Sequence, residues 1–196
     1  MQAVVTILIA GLFTDNFVLS KFLGVCPFLG VSKRLDTAVG MGAAVAFVMV
    51  VATAITYPLH SRLLIPMGLG YLQTILFIVV IATTVQFIEI FLKKYVPPLY
   101  SALGVYLPLM TTNCAIMGVT ILHFTSGYTF LEAMINALAG GVGFLLAMVM
   151  FAGVRSRLEG NNFPKALEGM PITLIAAAII SMSFLGFVGL AEGLFN

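Results

Sequence analysis

The chain has 196 residues, 61% of them hydrophobic and only 8% charged, with nine basic and seven acidic side chains and a formal net charge of +2. Soluble domains carry about 25% charged residues, so this composition excludes a water-facing globular surface. The small net charge gives no basis for a nucleic-acid partner.

About 20 apolar residues in a helix cross a hydrocarbon core of about 30 Å at 1.5 Å per residue. Four stretches are free of charge over that length: Ala38 to Tyr57, Leu63 to Ile88, Ala133 to Val154 and Gly169 to Ala191. Lipid offers no water to an open sheet edge, so the spans are helices. The pattern predicts an all-α integral membrane protein with six spans, near residues 3–24, 38–58, 69–92, 99–121, 130–153 and 170–192. The N-terminal stretch lacks a basic region, its first charge being Asp15, and is not expected to be a cleavable signal.

The first segment is unusual. It holds Asp15, Asn16, Lys21 and Pro27 within apolar sequence. An ionisable group at the bilayer centre costs about 3 kcal/mol on insertion scales, which makes Asp15 and Lys21 candidates for a polar or ion path. The competing reading has Lys21 snorkelling to the cytoplasmic face and Asp15 at the outer interface. The fourth segment is unusual too. Tyr95 to Leu131 carries no Asp, Glu, Lys or Arg, yet contains Pro97, Pro98, Pro108 and the polar run Thr111-Thr112-Asn113. Proline and polar clusters at membrane depth predict broken or half helices buried in protein; a tilted helix followed by an apolar loop is the plainer alternative.

Lys33, Arg34, Lys93, Lys94, Arg155, Arg157 and Lys165 fall on links at one side, against Arg62 at the other, where His60 and His123 are also expected in loops. Basic loops stay in the cytoplasm, so both termini are expected on the outer side. Gly40, Gly42, Gly140, Gly141 and Gly143 lie in the second and fifth spans and are read as packing residues, since small side chains let membrane helices approach closely.

The two odd segments contain the only two cysteines, in similar settings: Cys26-Pro27-Phe28-Leu29-Gly30-Val31 and Cys114-Ala115-Ile116-Met117-Gly118-Val119. Leu35-Asp36 likewise resembles Leu131-Glu132. These matches suggest one membrane domain over 1–196, built from a repeat of roughly 95 residues, with halves 1–94 and 95–196. Three spans per half force the second copy to be inverted, and inverted repeats with discontinuous helices place their functional site near the midplane. Pro27 favours a first helical turn and Asn113 a cap, so each cysteine is expected near the start of a half-helix, where free N–H groups favour thiolate. Three readings of the pair stand: buried apolar thiols, a disulfide, or metal ligands. Two sulfurs do not complete an iron–sulfur site, which takes four, so ligation requires a partner with two more cysteines.

The runs from Asn16 through Cys26 to Lys33 and from Leu107 through Cys114 to Gly118, with Met182-Ser183-Phe184-Leu185-Gly186-Phe187, resemble the A-subunit family of the Rnf complexes, which is homologous to the E subunit of the Na⁺-pumping NADH:quinone reductase, Nqr. The resemblance covers essentially the whole chain. It implies a bacterial or archaeal cytoplasmic-membrane subunit of an ion-translocating ferredoxin:NAD⁺ oxidoreductase. It implies that Cys26 and Cys114 ligate a 2Fe-2S cluster shared with a paralogous, oppositely inserted membrane subunit. It also implies partners carrying iron–sulfur centres on the cytoplasmic side and flavin on the outer side. Pro27, Gly30, Thr111, Thr112, Asn113 and Gly118 are the expected surroundings of the two ligands. The alternative is an ion-conducting or secondary-transporter-like subunit without a redox centre, in which polar residues such as Asp15 matter and the cysteines do not. No nucleophile–base pair or nucleotide motif marks the chain as a complete enzyme.

Overall fold

The computed structural model describes residues 11, 16–32, 34–68, 70–95, 97, 100–101, 107–158, 164 and 168–195. Among these the regular structure is helical throughout, without a strand. The helices are α1 (Val25–Val31), α2 (Leu35–Leu59), α3 (Gln73–Tyr95), α4 (Leu107–Thr111), α5 (Cys114–Thr125), α6 (Phe130–Leu158) and α7 (Met170–Phe195). Asp15, Lys33, Lys165, most of the expected first span and both termini lie outside the described residues.

Local chemistry explains where the long helices begin and end. Asp36 sits in the first turn of α2, where the helix dipole favours a negative charge. At its far end Pro58 is followed by a wider, π-type turn over His60–Leu64 and a single turn over Ile65–Met67, stopped by Gly68 at φ +65°. Glu132 in the first turn of α6 accepts from both the backbone N–H and the hydroxyl of Thr129, each at 2.9 Å; this reach back to the capping residue satisfies an otherwise free donor. Lys93 and Lys94 close α3, and Arg155 and Arg157 close α6.

Leu35–Arg62, Gly70–Tyr95 and Phe130–Leu158 are long and apolar enough to cross a membrane. Together with α7 they correspond to the expected second, third, fifth and sixth spans. The fourth is not one helix: α4 ends at Thr111, the chain turns at Thr112 and Asn113, and α5 starts at Cys114. The described part of the first segment, residues 16–24, is a series of turns leading into the seven-residue α1. Both cysteine segments are therefore interrupted.

The core forms around α2 and α6. A methyl group on Gly141 would lie 2.7 Å from Ala46 Cα, and one on Gly42 would lie 2.9 Å from Leu145 Cα. Small residues thus bring the two backbones together. Rising numbers on α2 meet falling numbers on α6, so the helices are antiparallel and Arg34 lies at the same end as Arg155 and Arg157. The turns at 16–24 are pinned onto this pair. Asn16 is fully buried; its Nδ2 donates to Gly143 O at 2.9 Å, and its Oδ1 accepts from Val18 N at 3.1 Å and Leu19 N at 3.3 Å. Phe17 packs its ring where a side chain on Gly140 would stand. From the other side, Ser181 of α7 donates to Leu19 O. Large apolar side chains such as Phe47, Ile78, Phe87, Phe91 and Ile179 cover the outside, as a lipid-facing surface requires.

Candidate functional site

Two short helices bring the cysteine segments together from opposite ends of the α2–α6 pair. The carbonyl end of α1 is held at the basic end: Arg155 Nη1 donates to Leu29 O at 2.7 Å and to Ser32 Oγ at 3.0 Å, and Phe28 stacks on Phe151 with ring centroids 4.2 Å apart. The carbonyl end of α5 is held at the other end. Tyr57, near the end of α2, stacks on Phe124, and its hydroxyl donates to Tyr128 O at 2.9 Å. His60 packs on Phe124 at 3.9 Å.

The starts of α1 and α5 meet between these anchors. Gly24, which precedes α1, donates its N–H to Cys114 Sγ at 2.9 Å. A side chain on Gly24 would collide with Phe144 Cε2 at 2.8 Å and crowd Ala115 Cβ at 3.1 Å and Asn113 Oδ1 at 3.2 Å. Gly24 also has φ +83°, a backbone state that only glycine adopts without cost. Phe144 is midway along α6, about 21 Å from either end at 1.5 Å per residue. The junction is therefore at mid-height in the helix pair.

Asn113 caps α5 as its type predicts, its Oδ1 accepting from Ala115 N at 3.0 Å. That bond fixes the amide orientation and leaves Nδ2, a buried donor, without an acceptor among the described residues. Cys114 is the first residue of α5. On the other segment α1 begins at Val25, so Cys26 is second and Pro27 third, later in the first turn than the proline preference suggests. Proline is tolerated there because the first N–H groups of a helix have no intrahelical partner. Both thiols are free and exposed on the surface of the chain, while Pro27, Phe28, Asn113 and Ala115 beside them are buried.

The other expected residues divide. Gly118 faces Leu23, whose Cδ1 would be 2.8 Å from an added methyl group. Thr111 spends its hydroxyl on Pro108 O at 2.6 Å, and Thr112 is exposed at the break. Gly30 is half-buried in α1. Lys21 is exposed with its Nζ 5.3 Å from the centroid of the Phe17 ring. Several positions expected on links or in loops lie in helical elements instead: Lys93 and Lys94 in α3, Arg157 in α6, and His60 and Arg62 in the π-type turn that continues α2. His123 is not in a loop: it lies inside α5, 1% exposed, with Nε2 3.3 Å from Asn136 Oδ1. Arg155 is not a loop cation either: it is in the last turn of α6, 8% exposed. Counting loop charges hides this residue; its place at the end of an uncharged run, within reach of a second segment, appears only in three dimensions. Asn16 is similarly visible in the sequence only as a polar residue beside Asp15.

Among the described residues no three His, Cys, Asp or Glu side chains cluster closely enough to hold a metal ion. The described residues offer two free thiols, one of them accepting from Gly24 N, and no complete ligand set. A family model described as Rnf-Nqr subunit, membrane protein, matches residues 4–191. The chain belongs to the Rnf-Nqr family of membrane subunits. Among curated proteins, this Rnf-Nqr chain is 54% identical over 192 residues to the A subunit of the Na⁺-translocating ferredoxin:NAD⁺ oxidoreductase complex of Acetobacterium woodii, covering 98% of this chain and all of that one. It is 50% identical over 193 residues to the A subunit of the ion-translocating oxidoreductase complex of Syntrophotalea carbinolica, with the same coverage. The corresponding protein of an Azoarcus strain is 46% identical over 186 residues, 95% of this chain and 96% of that one.

Proposed function

We propose that this Rnf-Nqr chain is the A subunit of an ion-translocating ferredoxin:NAD⁺ oxidoreductase complex, and that Cys26 and Cys114 supply half the ligands of a 2Fe-2S cluster carried within the membrane. Two cysteines of a paralogous membrane subunit complete the set. The halves 1–94 and 95–196 act as an inverted pair, with both termini on the outer side of a cytoplasmic membrane. The further partners are subunits with iron–sulfur centres on the cytoplasmic side and flavin on the outer side.

The observation that carries the reading is the hydrogen bond from Gly24 to Cys114 Sγ, which joins the two cysteine segments at mid-height while both thiols stay exposed. Thiols packed only as small hydrophobes would be covered; a pair waiting for a second subunit has an open side. The donor set fits the group. Thiolate is the ligating form, and N–H groups directed at sulfur favour it. Gly24 N supplies one such donor; the buried Nδ2 of Asn113, next to Cys114 in the chain, has no acceptor among the described residues. When bound, the cluster supplies one-electron transfer at a potential set by net charge, hydrogen bonds to sulfur and exposure.

The chain's own residues do the rest. α1 and α5 set the two sulfurs from opposite ends of the same helix pair. Phe144, Ala115 and Leu23 fill the space behind Gly24 and Gly118, so water is kept from the inner side of the site. Low polarity there strengthens the N–H···S contact from Gly24 to Cys114.

Iron and acid-labile sulfide measured on the purified complex test the reading. Cys26→Ser and Cys114→Ser are each expected to remove one cluster's iron and sulfide, with the subunits still assembled and ferredoxin-dependent NAD⁺ reduction lost. Full iron content and intact electron transfer in both variants would reject it, and would favour ion conduction without a redox centre in this chain.

A further inference from the structure

His60, just beyond the end of α2, packs near Phe77 at the start of α3, with ring centroids 6.1 Å apart. The two helices therefore run antiparallel, and a half-open groove of about 430 Å³ lies between them. Small residues at Gly40, Ala43 and Ala44 of α2 leave the space, and Phe47, Phe87 and Phe91 border it. Thr84 is the only polar residue among those lining it, and its hydroxyl is spent on Val80 O at 2.9 Å. The groove offers nothing to a polar ligand. Along α2 it extends from Gly40 to Val51, about 16 Å at 1.5 Å per residue. That is close to the depth of one leaflet, half of a hydrocarbon core of about 30 Å. A slot of this volume and length takes an extended hydrocarbon chain; a partner helix, about 10–12 Å across with its side chains, is too wide.

One end of the groove is charged. Arg34 precedes α2, and Lys93 and Lys94 close α3 directly after Leu92, which lines the groove. All three cations are exposed. Lys93 Nζ lies 5.9 Å from the centroid of the Tyr100 ring, and Lys94 Nζ 5.7 Å from that of Tyr95. Asp36 and Glu89 are the only acidic residues of the two helices, and Glu89 accepts from Gln86 Nε2 at 3.4 Å. Three cations against two carboxylates leave this end positive. Each cation near a membrane surface favours an anionic headgroup about fivefold. We infer that the groove holds one acyl chain of an anionic phospholipid, with the lipid phosphate at Lys93, Lys94 and Arg34. The inference is independent of the cysteine ligation.

Photolabelling of the assembled complex in phosphatidylcholine bilayers tests it. Two trace probes carry the same diazirine-bearing acyl chain, one on phosphatidylglycerol and one on phosphatidylcholine, and peptide mass spectrometry locates the label. The phosphatidylglycerol probe is expected to label residues 40–51 and 84–92 at least fivefold more than the phosphatidylcholine probe. Lys94→Gln is expected to lower the phosphatidylglycerol label there about fivefold and to leave the phosphatidylcholine label unchanged. Ala43→Phe fills the groove and is expected to remove the label from both segments while label elsewhere in the complex persists. Equal labelling by the two probes overturns the inference, and this wild-type comparison decides the matter if Ala43→Phe does not assemble. So does an unchanged label in Lys94→Gln or in Ala43→Phe. Absence of label from both segments in the wild type, as when another subunit covers the groove, overturns it too.

Discussion

Gly24→Ala probes the junction of the two cysteine segments directly. Two costs add at this position. A side chain at φ +83° is strained by about 1–2 kcal/mol. Its Cβ would also be 2.8 Å from Phe144 Cε2 and 3.2 Å from Asn113 Oδ1. Overpacking of this kind costs about 1–3 kcal/mol, and the neighbours have little room, since Phe144 is fully buried in the core and Asn113 is tied to Ala115 N. The sum is about 3 kcal/mol, which corresponds to roughly 6–12 °C in thermal midpoint for a chain of this size. Gly68 provides the control, because it has φ +65° with nothing within 4 Å of an added methyl group; Gly68→Ala carries only the backbone cost of about 1–2 kcal/mol. Thermal unfolding of both variants in the same detergent, with iron content measured alongside, separates the two terms. Gly24→Ala is expected to be the less stable and to lose iron, while Gly68→Ala keeps it. Equal midpoints and equal iron would refute the close contact at Gly24.

Other substitutions test the surrounding framework. Gly141→Val presses on the Ala46 backbone and must part α2 from α6; it is expected to lose about 3 kcal/mol or more, whereas Gly153→Ala, with open space around it, should unfold like the wild type. Asn113→Ala removes the cap of α5 and is expected to cost about 1 kcal/mol, while Asn113→Asp keeps an acceptor for Ala115 N and should recover most of that stability in the same unfolding assay. Tyr57→Phe loses the hydrogen bond to Tyr128 O and is expected to cost about 1 kcal/mol, with faster hydrogen exchange at the end of α5 and none at α1.

The long spans are legible in the sequence because apolar length and helix geometry leave lipid few other solutions. The break before Cys114 is legible for a related reason: Pro108 and Thr111-Thr112-Asn113 cannot continue an unbroken apolar helix cheaply, and asparagine is a good cap. The small residues of α2 and α6 also announce their use, since Gly42 and Gly141 meet Leu145 and Ala46 at backbone distance. Less is readable where a side chain leaves its own segment. Arg155 reads as one more cation of a cytoplasmic loop, because charge counting has no information about a carbonyl 126 residues away. His123 reads as a loop residue because its helix runs beyond the apolar stretch, and its partner Asn136 belongs to another helix. Asn16 follows the same rule, its amide crossing to Gly143. Local pattern reports period and composition; long-range polar contacts depend on how the segments are set against one another.

The most direct test of the central claim is a cryo-EM map of the assembled complex, read at the junction of α1 and α5. The account predicts one compact density held by Cys26, Cys114 and two cysteines of the neighbouring membrane subunit, at the level of Phe144. Cysteines facing lipid, or packed against a subunit that brings no sulfur, would contradict it.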